Sequence, residues 1–264
     1  MKKYLEIGRI SMKTQLAYRF DVYVGALMPF IRVFLAYALW QVLFQGKREI
    51  GGFSFGMMLT YYIIGAFIQR LDQSNNMVWD TAGEIREGKF SKYMVRPVSP
   101  LGHFLSVSFA KTLYILAVTL LTVVVLALLF GDLFVLPSSL LNVLIAAVMS
   151  LLGLLFMALL NYLTALLAFK FNDVTGWHLV KGNVVEFLAG ALIPLSLLPG
   201  WMQDVMQLFP FYYTQYLPAS IYLGLNTNKG LQGILVLMLW DGLLWFLAQR
   251  TYHRFRRVYE GVGV

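Results

Sequence analysis

The chain has 264 residues, 59% of them hydrophobic and only 13% charged, with a mean hydropathy of +0.69. A water-soluble domain carries about 25% charged residues and has too little interior to hide this much apolar side chain, so a soluble globule is excluded and a bilayer must cover the remainder. The formal net charge of +8 reads as lysine and arginine flanking membrane segments and not as a nucleic-acid surface, and the lack of cysteine excludes disulfides, thiolate metal sites and cysteine nucleophiles.

In chain order, residues 1–20 predict an interfacial helix. Lys2, Glu6, Arg9 and Lys13 recur at helical spacing as a polar stripe, while Leu5, Met12 and Leu16 fall on another face. Such a helix lies flat, apolar side in the acyl boundary and cations near headgroups. Lys2 and Lys3 lead into Glu6, Arg9 and Lys13 and not into an apolar run, so no secretory signal is read. Crossing the hydrocarbon takes roughly 20 residues. The first span is placed at 21–44, interrupted by Pro29 and Arg32, and the second at 53–68. The third is clearest over 113–130 and starts near Phe104; the fourth is the uncharged run 140–169. The fifth covers 177–198 and the sixth 231–248. The expected fold is an all-α membrane protein with six transmembrane helices and one transmembrane domain over residues 1–264.

Orientation follows from the charges. With both termini in the cytoplasm, the cytoplasmic segments hold most of the 21 Lys and Arg residues. Only Lys47, Arg48 and Lys229 fall outside, and Arg32 lies within a span. The opposite topology inverts the positive-inside rule in almost every loop.

The longest polar stretch, 69–100, separates spans two and three. Residues 80–92 predict a short amphipathic helix ended by Pro97 and Pro100. Trp79, Phe90, Tyr93 and Met94 read as exposed apolar anchors in a charged rim, the arrangement a protein-docking surface needs. Gly83 to Lys89 also comes close to a phosphate-binding G-x-x-x-x-G-K-[ST] loop. It fails in context: Phe90 stands where Ser or Thr would ligate magnesium, no strand precedes Gly83, and Glu84 and Glu87 would face the phosphates.

Three segments carry a resemblance: G-E-I-R-E-G-K-F-S-K-Y-M-V-R-P-V-S-P at 83–100, I-P-L-S-L-L-P-G-W at 193–201 and F-P-F-Y-Y at 209–213. With the amphipathic start and six spans, the chain resembles the permease subunit of type-2 ABC exporters, in the small bacterial branch whose ATPase is a separate polypeptide. The resemblance implies a second permease copy or paralogue around a shared pathway in the inner (cytoplasmic) membrane, with soluble ABC ATPase subunits below. This chain would then bind no cofactor, ATP and magnesium being held by the partner. The loop 74–98 would couple the two, through Gly83, Glu84, Arg86, Glu87, Lys89, Phe90, Tyr93, Arg96 and Pro97, with a lesser contact at 170–181. Residues 194–218 would form an outer re-entrant hairpin of short helices, marked by Pro194, Pro199, Trp201 and Pro210. The substrate would be amphipathic: a drug, a lipid-linked molecule or a peptide.

Charges within spans are costly, so Arg32, Glu186 and Asp241 either line a pathway or pair inside the bundle; Glu186 also lies close enough to Lys181 to pair with it. Asn161, Tyr162 and Thr164 are candidates for interhelical hydrogen bonds. His103, His178 and His253 lack metal-ligand spacing, so no metal site is expected. Aromatic residues at 209–216 and 240–252 suggest an interfacial belt, and the basic stretch 250–257 an anchor to anionic lipid. A proton-driven transporter using Asp241 or Glu186 is the alternative, and a membrane-embedded lipid enzyme a third reading; each lacks its own signature, paired interrupted spans or converging catalytic groups.

Overall fold

The computed structural model describes residues 2–17, 19–95, 98–171 and 173–256. Arg96, Pro97 and Arg257 lie outside the described residues, as do the side chains of Leu16, Arg19 and Met94. The described chain is helical throughout, without a named strand. Its helices are α1 (Lys2–Ala17), α2 (Arg19–Leu43), α3 (Phe55–Leu71), α4 (Asn75–Arg86), α5 (Lys92–Val95) and α6 (Pro100–Phe130). They continue with α7 (Leu140–Leu166), α8 (Thr175–Leu188), α9 (Gly200–Gln207), α10 (Tyr216–Tyr222) and α11 (Gly230–Phe255).

The starts of the long helices are legible in local chemistry. Ser54, Ser99 and Ser139 each precede a helix, and their hydroxyls accept from the free N–H groups of Met57, Gly102 and Leu141. Pro100 opens α6 at a position where no N–H is needed. Pro29 does not interrupt α2, contrary to the expected break. Proline is tolerated inside membrane helices because neighbouring groups satisfy the freed carbonyl.

Among the described residues, four helical segments are long and apolar enough to cross a bilayer: Val24–Leu43, Pro100–Leu133, Leu140–Phe169 and Thr227–Phe255. The other two expected spans are shorter. α3 has 17 residues and α8 has 14, about 25 Å and about 21 Å of helix against about 30 Å of hydrocarbon. The fifth span therefore stops at Leu188 and does not reach residue 198. Gly190 breaks it, in a left-handed conformation (φ +75°) where a Cβ would lie 2.9 Å from the Tyr61 hydroxyl. Tyr61 and Tyr62 on α3 donate to the carbonyls of Gly190 and Leu192 at 2.6 and 2.8 Å, pinning the end of α8.

α7 and α11 form the central pair. Gly233 of α11 allows close approach to α7, where a Cβ would meet Met149 at 2.5 Å, and Gly153 of α7 lets the chain before α10 come near, where a Cβ would meet the Thr214 backbone at 3.2 Å. α10 is buried against α3, α7 and α11. One apolar cluster at this end gathers Trp40, Phe53, Tyr61, Tyr212, Tyr213, Tyr216 and Leu237. These tyrosines thus belong to the core, which corrects the belt expected at 209–216 for Tyr212, Tyr213 and Tyr216, while Phe209 is exposed. Tyr213 keeps its hydroxyl satisfied through the Gln207 carbonyl, at 2.9 Å. A second cluster at the opposite end of the pair joins α4, α6, α7 and α11. α1 lies along the first half of α6, where Tyr4 and Ser99 share a hydrogen bond of 3.1 Å. Leu5, Ile10 and Met12 on α1 remain exposed.

Candidate functional site

Between α3 and α6 the chain forms α4, a left-handed turn at Gly88 (φ +73°), a 3-10 turn at Lys89–Ser91 and the single turn α5. The helix begins and ends earlier than the expected 80–92. Gly88 is the reason for the stop, since it reverses the chain in a conformation other residues avoid. On α4, Met77, Val78, Thr81, Ala82 and Ile85 recur at helical spacing and are buried, with α7 and the turn at Leu167–Phe169 beneath them. The outward face carries Asn76, Trp79, Asp80, Arg86 and Glu87. A Cβ on Gly83 would meet nothing within 4 Å, so that position is open. The near-match to a phosphate loop at Gly83–Lys89 lies largely within this helix, whose amides are engaged in the helix itself.

The turn at Gly88 sends Phe90 inward. Its ring is fully buried against Tyr93, Phe169 and Tyr252, with centroids 5.0, 5.2 and 6.1 Å away. Tyr93 is buried too. The expectation of exposed anchors at Phe90 and Tyr93 is therefore corrected: both serve the core beneath α4. Trp79, 40% exposed, keeps the expected character, its ring edge-on to His178 at 5.1 Å. Around the rim, Lys92 donates to Glu84 at 2.6 Å and Lys89 pairs with Glu87 at 2.5 Å. The Lys89 partner holds the Glu87 carboxyl below its ordinary range, and Glu87 raises Lys89 in return.

Arg32 and Glu186 come together, 3.2 Å apart, joining α2 to α8. Asp241 is not part of that pair. It is 6% exposed on the α11 face that meets α7, and neither carboxylate oxygen has a hydrogen-bond partner. Lys181 does not pair with Glu186; it donates to Asn161 Oδ1. Asn161 in turn donates to Ser74 Oγ at 2.7 Å, and Ser74 donates to Asp72 Oδ1 at 2.5 Å. This chain ties α8 to α7 and to the start of α4. The sequence singled out Asn161 but missed Ser74 and Asp72, whose only signal was a polar cluster just before a helix. Of the other candidates, Thr164 bonds within its own helix and the buried Tyr162 hydroxyl has no partner.

Beside this chain, a cavity of about 520 Å³ opens between α3, α7 and α8. Gln69, Asp72, Lys181, Asn183, Glu186 and Gln215 give it polar walls, and Leu154, Met157 and Val185 apolar ones. In the segment 194–218, Trp201 is 69% exposed and Pro210 buried, while Pro194 and Pro199 each precede a helical segment. Among the described residues, no group of three or more His, Asp or Glu side chains is placed to hold a metal ion.

A family model described as ABC-2 family transporter protein matches residues 30–263. Among curated proteins, no match to the chain is found.

Proposed function

The chain belongs to the ABC-2 transporter family, and from that premise we propose that it is the permease subunit of an ATP-driven exporter whose ATPase is a separate polypeptide. α2, α3, α6, α7, α8 and α11 are its six spans, both termini face the cytoplasm, and two permease copies or paralogues enclose the pathway in the inner membrane. The short α3 and α8 fit this reading because α3 is covered by protein on most sides, and α8 is extended by the helical turns that follow Pro194. The substrate is amphipathic, in keeping with a cavity that has both polar and apolar walls.

The observation that carries the reading is α4. It rests on the ends of α7 and α11 through Ile85, Phe90 and Tyr252, while its other face is polar, open at Gly83 and carries Trp79. A lever needs both properties: firm attachment to the spans and a free surface for the partner. ATP-driven closure of the two ATPases would push on α4 and shift the spans from inward-open toward outward-open. Co-expression with a separate ABC ATPase subunit from the same organism tests the idea. A stable complex is expected, and Gly83→Trp is expected to abolish it without unfolding the permease, since the side chain enters open space. A complex unaffected by Gly83→Trp removes α4 as the docking helix. The buried, unpartnered Asp241 favours the proton-driven alternative, which predicts uptake under a proton gradient without ATP and its loss in Asp241→Asn.

A further inference from the structure

The charges on the walls of the cavity between α3, α7 and α8 are already matched. Glu186 is engaged by Arg32 at 3.2 Å. Asp72 has the Lys181 ammonium as its counter-charge, and its Oδ1 accepts the backbone N–H and the hydroxyl of Ser74 at 2.9 and 2.5 Å. His178 stands edge-on to Trp79, and an ordinary imidazole is mostly neutral at physiological pH. A charged head entering here would give up its water shell without meeting a free counter-charge.

What the walls offer instead is carboxamide: Gln69, Asn183 and Gln215 all line the space. The Gln69 NH₂ donates to the Gln215 carbonyl at 3.0 Å. That bond does not use the Gln69 carbonyl or the Gln215 NH₂, so the pair sets an acceptor beside a donor. Turning both amides over exchanges their roles and leaves the same two functions. Gln215 is only 6% exposed, and Gly65 of α3 makes room for it, since a Cβ there would lie 2.6 Å from Gln215 Nε2. Met157 and Val185 form an apolar wall in the same cavity. Gly182 leaves one side unfilled, for a Cβ there would meet nothing within 4 Å.

We infer that this cavity binds an amphiphile with an uncharged head whose groups both donate and accept hydrogen bonds, hydroxyls or amides, with Gln69 and Gln215 as its contacts and the apolar wall taking the first part of the chain. Such groups use both halves of the carboxamide pair. A carboxylate only accepts, and a quaternary ammonium does neither. The inference rests on the permease reading for its role in transport, but the binding itself belongs to this polypeptide alone.

The test uses the purified full chain without ATPase, at about pH 8 where an ordinary imidazole is neutral, and native mass spectrometry to count bound amphiphile. Five probes of equal chain length are compared: a monoacylglycerol, an N-acylglycinamide, a fatty acid methyl ester, a lysophosphatidate and an alkyltrimethylammonium. The better of the first two identifies the head as hydroxyl or amide. It is expected to bind about tenfold more tightly than the methyl ester and the charged probes, the scale of one or two neutral hydrogen bonds. Gln69→Leu and Gln215→Met should each bring it down to the level of the methyl ester. Gly182→Leu should weaken its binding by filling the space, without touching either amide. A methyl ester or a charged probe that binds as tightly overturns the inference, and so does a preference that survives Gln69→Leu. Lack of ATP-driven transport would count against the permease reading while leaving these binding results standing.

Discussion

Single residues decide how the polar loop is used. Phe90 reads in sequence as an anchor on a docking surface, but the left-handed Gly88 turns it into the core. Phe90→Ala should therefore cost about 3–5 kcal/mol of stability, as truncating a buried aromatic does, whereas exposed Arg86→Ala should stay within about 0.5 kcal/mol. Thermal unfolding in detergent separates the two. Asp173 gives a pH signature. Its carboxylate accepts from the Thr175 N–H at 2.8 Å and hydroxyl at 2.5 Å, and these bonds depress its pKa below the ordinary 3.8. A depressed acid contributes stability above its unfolded pKa, and that contribution is lost as pH falls through the folded value. Hydrogen exchange in the first turn of α8, corrected for intrinsic rates, should be protected at neutral pH and lose protection below 3.8. Asp173→Ala should show the unprotected pattern at neutral pH.

At the level of elements, helix existence was readable and helix ends were less so. The serine caps before α3, α6 and α7 and the uncharged run of α7 mark themselves by composition. The end of α8 does not, because Gly190 stops it only in concert with the Tyr61 and Tyr62 hydroxyls from a distant helix. The same holds for α4, whose buried stripe from Met77 to Ile85 needs α7 as its partner before the register is defined. α4 carries a glycine in mid-helix that nothing in the described structure requires. Gly83→Ala should thus stabilise the chain by up to about 1 kcal/mol, the propensity difference between the two residues. A rise in melting temperature checks this. If the same substitution weakens ATPase attachment while raising stability, the glycine is there for the partner and not for the fold.

For the whole molecule, topology is the decisive quantity, and the absence of cysteine makes it directly measurable. Single cysteines replacing Trp201 and Arg86, both exposed, should react with a membrane-impermeant maleimide from opposite sides. In intact cells, Trp201→Cys should label and Arg86→Cys should not; the reverse outcome inverts the orientation. Composition and charge by themselves determined that this chain is a helical membrane protein and proposed which ends of its helices face the cytoplasm. Both follow from the cost of placing apolar surface in water and charge in lipid, which is summed residue by residue and needs no knowledge of contacts. Only the tertiary structure decided that Arg32 meets Glu186 while Asp241 stands apart, that Phe90 and Tyr216 are core, and that Lys181 lines a cavity and donates to Asn161. Those are pairings between residues far apart in the chain, and their partners are chosen by helix packing, which hydropathy and periodicity leave undetermined.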